Sequence, residues 1–323
     1  MVQNRLCIGI GADALCIHHV HHPDSEPVVK TVGALLGGGM QVNQIQPNRL
    51  YKIASKFITH SILFLATIGI GMPFVWMLIT AIKSPQEVSI FPPIWWPEVV
   101  RWDNFVTAWQ TAPFGRFYIN SIVTAAAGVL FGLITSSFAA YAFARIRFRY
   151  RDFFFLLMLA AMMIPGQIAL IPNYVILAKL KWINTYQGIV VPHIANVFGA
   201  FLLRQYFMTI PDSLYDAAEI DGLGHLKIML HVALPLSKPV FGTLLLYLFI
   251  QKWNAYLWPL IVTSKQNMRT LPVGLAMIRS AEYAIGPEHL MAASIFVLVP
   301  VLIIYFFAQK QLIEGIASGA VKG

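Results

Sequence analysis

Charge is scarce in this 323-residue chain: Asp and Glu together number 14, and all charged residues make up only 11% of it. An ordinary soluble domain carries about 25%, so a soluble globular fold is the wrong starting point. Cysteine is nearly missing. Cys7 and Cys16 are the only two, too few for a disulfide framework and without a second pair at zinc-ligand spacing. There is no G-x-x-x-x-G-K-[ST] loop, and the GHLK string around Gly224 lacks the required spacing, which excludes a nucleotide-hydrolysing P-loop. No H-E-x-x-H motif occurs either. His60, His193 and His231 are too scattered to suggest a membrane metalloprotease, and neither catalytic nor metal-ligating residues are expected.

What is present is apolar sequence: hydrophobic residues are 58% of the chain and the mean hydropathy is +0.67. Six runs are long enough to cross a hydrocarbon core of about 30 Å, which takes roughly 20 helical residues. They cover 57–80, 118–144, 153–178, 187–207, 239–262 and 289–311. Runs of this length exceed the roughly 9–11 residues of a barrel strand, and in lipid a helix satisfies its own backbone. The expectation is an all-α membrane protein with six transmembrane helices.

The net charge of +9 does not indicate nucleic acid, because the basic residues fall between apolar runs rather than on one soluble face. Arginine and lysine near helix ends are retained on the cytoplasmic side. Arg145, Arg147, Arg149 and Arg151 place the second connection there, and an even number of crossings then puts both termini inside. Arg49, Lys52, Lys56 and Lys310 agree. The expected location is the cytoplasmic (inner) cell membrane, multi-pass. Trp95, Trp96, Trp102 and Trp109 in the outer loop 81–117 read equally as interfacial aromatics or as packing inside an external cap.

Residues 1–48 differ in kind, being rich in Gly, His and small residues without a helical period. They read as a disordered tail or a mis-annotated extension, since Gly37 to Met40 (GGGM) resembles a translated ribosome-binding site ahead of a start at Met40. A signal peptide is not expected, for want of a basic n-region and apolar core. HHVHH, His18 to His22, is weak as a metal tract.

One segment interrupts the apolar pattern: SLYDAAEIDGLGHLKIMLHVALP, Ser213 to Pro235. Ser213 and Asp216 have capping-box spacing, and Pro211 closes the preceding helix. Leu214, Ala217 and Ala218 line one face, and Gly222 and Gly224 offer positive φ for a turn. Leu226, Met229, Leu230 and Ala233 then repeat at helical spacing until Pro235. Helix, Gly turn, helix is the expectation. Flat lipid binding wants a basic polar face, whereas Asp212, Asp216, Glu219 and Asp221 here outweigh Lys227 and Lys238. A protein partner with a groove fits better.

DAAEIDGLGHLKIMLHVALP resembles the EAA loop of permease subunits in binding-protein-dependent ABC importers. Asp216, Ala217, Ala218, Gly222, Leu234 and Pro235 occupy the pattern's positions, with Asp216 in place of the usual Glu. NSIVTA, WNAYLWPL at 253–260, TLPVGL at 270–275 and GAVKG at the end are similar to the carbohydrate, maltose-type branch. The resemblance covers roughly residues 50–323, with 49–323 as the permease domain and the EAA loop at 208–238.

The resemblance implies a type I ABC importer permease that is not an enzyme. It would form half of a translocation pathway for a sugar or oligosaccharide, or for another small polar solute such as a glycerol phosphate derivative. Asp216, Ala217, Ala218, Glu219, Asp221, Gly222, Leu234 and Pro235 would couple it to a cytoplasmic ATPase. ATP and Mg would belong to that ATPase, present in two copies, with no cofactor in this chain. A second permease subunit, homologous but different, and an extracytoplasmic solute-binding protein would complete the assembly in membrane lipid. The connection Thr263 to Glu288 would reach toward the binding protein.

Polar residues inside spans are costly and face a cavity or a neighbouring helix. Gln167, Asn173, Asn196, Gln251 and Asn254 are the substrate-path candidates, with Trp253 and Tyr256 as rings to stack on a sugar. Lys252 should snorkel or face water. Pro165, Gly166 and Pro172 break the third run, as a hinge or an ordinary kink. A stand-alone secondary transporter, the rival reading, would need intramembrane carboxylates. No Asp or Glu lies inside any of the six runs.

Overall fold

The computed structural model describes residues 5–10, 13–18, 49–278 and 285–320. The chain divides into two compact units, Met1–Met72 and Pro73–Gly323. In the first unit, β1 (Arg5–Ile10) and β2 (Asp13–His18) pair antiparallel, from Arg5 opposite His18 to Ile10 opposite Asp13. The rest of the expected tail, with His19–His22 and Gly37–Met40, lies outside the described residues. Helix α1 (Arg49–Ala81) passes from one unit to the other through its internal Pro73.

The second unit is helical. After α1 come the short α2 (Pro85–Ser89) and α3 (Asp103–Thr111), then the long α4 (Phe114–Arg145). Next are α5 (Arg151–Ala161), α6 (Leu170–Lys179), α7 (Tyr186–Val190) and α8 (Val197–Phe207). The remainder is α9 (Asp212–Ile220), α10 (His225–Ile228), α11 (Leu234–Leu236), α12 (Lys238–Trp253), α13 (Leu257–Val262), α14 (Leu271–Ile278) and α15 (Pro287–Ala320).

Among the described residues, 3 single helices are long and apolar enough to span a membrane, Lys56–Ala81, Phe114–Arg145 and Pro287–Phe307, and up to 6 spans result if each bent pair counts as one. The bends have chemical causes. The third run turns by 86° between α5 and the 3-10 turn leading to α6, where Pro165 removes a donor. The fourth bends by 45° past Val191–His193, at Pro192 and the Asn196 cap.

The fifth run departs from the expected continuous 239–262 helix. Helix α12 stops at Trp253 and α13 restarts at Leu257, because Pro259 has no N–H to give and its ring excludes the carbonyl four residues back. At its other end, α12 meets the His225–Leu236 segment at 87°.

Helix α4 is the centre of the unit. Its buried positions include Phe117, Ser121, Thr124, Gly128, Gly132, Ser136 and Ala140, a stripe at three- and four-residue spacing that narrows to small side chains. Small residues let helix backbones approach closely where lipid supplies no hydrophobic drive between helices. The close approach is to α8: a Cβ at Gly199 would meet Ser136 Oγ at 2.5 Å and Leu244 Cδ1 at 3.0 Å. One buried cluster joins α4 to α8, α9, α10 and α12 through Tyr141, Leu203, Phe207, Tyr215, Ile228 and Leu244. A second joins α3, α4, α14 and α15 around Phe114, Phe117 and Leu271.

The loop tryptophans pack on neighbouring rings. Trp95 meets Trp76 edge-on at 5.4 Å, Trp102 stacks on Phe105 at 6.1 Å, and Trp109 contacts Phe114, Tyr118 and Phe296. All four, Trp96 included, nevertheless keep 41–69% of their surface exposed.

Candidate functional site

The segment Asp212–Leu236 folds as a helical hairpin. Helix α9 is capped by Pro211 without a side-chain hydrogen bond. The expected Ser213–Asp216 capping box does not form, because the N-cap is Pro211, two residues earlier, and Ser213 already lies inside the helix. Asp212 instead places its charge in the first turn, where the exposed N–H groups favour an anion.

The turn that follows is a Schellman closure. Leu223 N–H donates to Ala218 O and Gly222 N–H to Glu219 O, both at 3.0 Å, with Gly222 at φ +78°. That conformation costs an L-residue sterically and glycine nothing. Gly224, expected to share this role, has φ −77° and serves as the extended N-cap of α10. The second limb runs through α10, a π-helical turn at Met229–Ala233 and α11, and Ser237, fully buried, donates to Ala233 O at 2.6 Å.

Leu214, Ala217 and Ala218, expected on one face, divide between two. Tyr215 and Ala218 are buried at 5% and 6% exposure, whereas Leu214 is 44% exposed and Ala217 is also exposed. On α10 and its extension, Ile228, Met229 and Ala233 turn inward. The outer face therefore shows Leu214, Ala217, Ile220, Leu226 and Leu230, bordered by the exposed Asp216, Glu219 and Asp221. Of the residues expected to couple, Asp216, Ala217, Glu219, Asp221, Gly222 and Pro235 are exposed, Leu234 is half-buried and Ala218 is buried. Ala218 packs in the buried cluster behind that face.

Two residues of α4 hold the hairpin. Arg145 pairs with Asp212, donates from Nη2 to Phe207 O at 2.6 Å and to Ile210 O at 2.7 Å, and lies 3.7 Å from the Tyr215 ring centroid. Its planar fork thus ties the end of α4 to the end of α8 and the start of α9. Tyr141, one turn earlier, reaches His225 Nδ1 at 3.5 Å. Burial pushes the Tyr215 phenol above its ordinary range, with the adjacent Arg145 opposing. A parallel tie fixes α8: Arg204 donates to Phe143 O at 3.2 Å, lies 3.8 Å from Asp152, and stacks on Phe155.

Sequence reasoning missed Arg145, Tyr141 and Tyr215. Arg145 was legible only as one of a basic cluster setting orientation. The aromatic Tyr215 amid acids and alanines was the available signal for an inward face.

The intramembrane polar candidates do not converge. Gln167 is exposed in the 3-10 turn and Asn173 half-buried on α6. Asn196 caps α8, accepting from Gly199 N–H at 2.5 Å. Trp253 is 3% exposed, stacks on Phe249 and donates to Val297 O at 3.1 Å. Tyr118 and Phe249 pack against that indole, which leaves little of it exposed for a sugar to stack on. Asn254 and Tyr256 are exposed in the break between α12 and α13. Gln251 lines a cavity of about 210 Å³ together with Lys252, His193 and Thr124.

Residues 128–317 match the family described as "Binding-protein-dependent transport system inner membrane component". The chain is 32% identical over 274 residues to the arabinooligosaccharides transport system permease protein AraQ of Halalkalibacterium halodurans, covering 84% of this chain and 98% of that protein. It is also 32% identical over 267 residues to the sn-glycerol-3-phosphate transport system permease protein UgpE of Pectobacterium atrosepticum, covering 80% and 95%. Its structure resembles a chain in the crystal structure of a bacterial ABC transporter involved in alginate import, with a TM-score of 0.72, 25% identity, and coverage of 81% of this chain and 97% of that one. A chain of the alginate transporter crystallised with its pentasaccharide-bound periplasmic protein shares the fold at a TM-score of 0.59 and 18% identity.

Proposed function

This chain belongs to the inner membrane components of binding-protein-dependent transport systems, and we propose that it moves a sugar, an oligosaccharide or a related polar solute inward, as one half of an ATP-driven translocation pathway. The permease named for arabinooligosaccharides and the one named for sn-glycerol-3-phosphate, matched at equal identity, support this breadth of solute. Hydrolysis takes place on a separate ATPase, which holds the ATP and Mg.

The observation that carries the coupling role is the hairpin at 212–236. It presents an apolar outer face with an acidic border, and Arg145 and Tyr141 fasten its inner face to the central helix. A groove on the ATPase is the natural seat for such a face. In that arrangement the hairpin and the Arg145–Arg151 connection lie on the cytoplasmic side, and both termini with them. A second, different permease subunit, two ATPase copies and an extracytoplasmic solute-binding protein complete the assembly.

The test is direct. With Cys7 and Cys16 replaced by Ser, a cysteine at Ala217 should cross-link to the co-expressed ATPase, whereas one at the buried Ala218 should not. Equal labelling of Ala217→Cys with and without the ATPase, together with no cross-link, would remove the coupling assignment.

A further inference from the structure

Lys252 projects from α12 into the cavity described above, and its seat is built for it. Gly128 of α4 lies beneath its methylene stem, and a Cβ there would come within 3.1 Å of Lys252 Cγ and Cδ. Nζ donates to His193 O at 2.8 Å. An ammonium has three donors and one charge, and among the described residues no carboxylate pairs with this one. Thr270 lines the same cavity, is 4% exposed, and its Oγ1 has no hydrogen-bond partner among the described residues.

Thr270 Oγ1 lacks any partner, and Lys252, with only the His193 carbonyl to accept from it, carries a positive charge that no described carboxylate compensates. A ligand that supplies anionic oxygen satisfies both, because charge-assisted N–H and O–H hydrogen bonds to an oxyanion are the strong kind. The cavity of about 210 Å³ has room for a carboxylate or phosphate group.

We infer that this cavity is an oxyanion subsite in which Lys252 and Thr270 receive the carboxylate or phosphate of the transported solute. The inference rests on the importer reading for the solute's passage, but the subsite itself is testable without transport. The rival neutraliser of Lys252 is a carboxylate of the second permease subunit.

The experiment titrates inorganic phosphate against chloride at constant ionic strength, reading thermal unfolding of the assembled transporter in phosphatidylcholine nanodiscs. Wild type should show a saturable stabilisation by phosphate. Lys252→Gln should raise the half-saturating concentration roughly tenfold or more, the effect of losing a hydrogen bond to a charged group. Lys252→Arg should keep the response, and Thr270→Val should weaken it in a chain of nearly unchanged shape.

No response in wild type, or the same response in wild type and Lys252→Gln, overturns the inference. So does its suppression by added phosphatidylglycerol, which would assign the site to a lipid headgroup, or dissociation of the Lys252→Gln permease pair, which would assign Lys252 to the partner. Failure of the importer reading would appear elsewhere, as absence of an associated ATPase, and would leave the phosphate titration interpretable.

Discussion

The Arg145 guanidinium lies 3.7 Å from the Tyr215 ring centroid while pairing with Asp212 and donating to two backbone oxygens of the α8–α9 corner. One side chain at the end of the central helix therefore holds the outward-facing hairpin on three counts: a charge, a ring face and two carbonyls. On the proposed coupling role, that fork is the route by which movement of α9 would reach α4.

Replacing Arg145 should uncouple rather than unfold. Arg145→Ala removes hydrogen bonds of the charged class, worth about 1.5–3 kcal/mol, and should lower solute-stimulated ATP turnover by at least tenfold with membrane insertion retained. Arg145→Lys keeps the charge without the fork and should fall between. Proteoliposome uptake and protease protection, measured side by side, separate the two effects.

Gly222 gives a backbone test free of crowding, since a Cβ there meets nothing within 4 Å. Its φ of +78° costs an L-residue about 1–2 kcal/mol. Asn tolerates that region better than a β-branched residue. Transport should decline in the order Gly222, Asn, Asp, Val, at equal membrane abundance by immunoblot.

Gly199 tests the helix crossing instead. A side chain there meets Ser136, Asn196 and Leu244 at 2.5–3.0 Å. Gly199→Val should separate α4 from α8 and destabilise the chain by about 1–3 kcal/mol, the usual cost of overpacking. A lowered melting temperature in detergent, against an unchanged one for a control at the unobstructed Gly166, is the expected result.

The loop before α3 should be acid-sensitive. Ser84 and Glu87 form a reciprocal capping box, and backbone N–H groups of Ser84 and Glu98, each at 2.8 Å, hold the Glu87 carboxylate below its usual range. A carboxylate with a depressed value stabilises the fold fully above its ordinary pKa and loses that contribution as pH falls through the depressed one. Hydrogen exchange of residues 84–98 should accelerate below the ordinary carboxylate range, and Glu87→Gln should remove the pH dependence.

The helical runs were legible because lipid demands about 20 apolar residues per span, and that demand leaves a plain mark. The corner at Pro165 and Gly166 was legible as a break, but its 86° was set by packing that hydropathy does not encode. The stop at Trp253 was hidden, since Gln251, Lys252 and Asn254 are single polar residues inside a run of spanning length and Pro259 is its one backbone signal. The module at 213–235 was legible in outline through its Gly turn and Leu-Pro stop. Which face turns inward was not legible, since Leu214 is more apolar than Tyr215, and the placement of Arg145 over the Tyr215 ring accompanies burial of the tyrosine. The Ser84-x-x-Glu87 box carried a readable signature, in a loop that composition alone did not divide.

The most direct test of the account is ATP hydrolysis by the reconstituted complex of this chain, its partner permease, the ATPase and the solute-loaded binding protein. Wild type should hydrolyse ATP faster when the loaded binding protein is added, and Gly222→Val should keep the basal rate and lose that stimulation. Stimulation unchanged in Gly222→Val, or solute uptake by this chain alone without ATP, would contradict the assignment of the hairpin as the point where ATP hydrolysis reaches the permease.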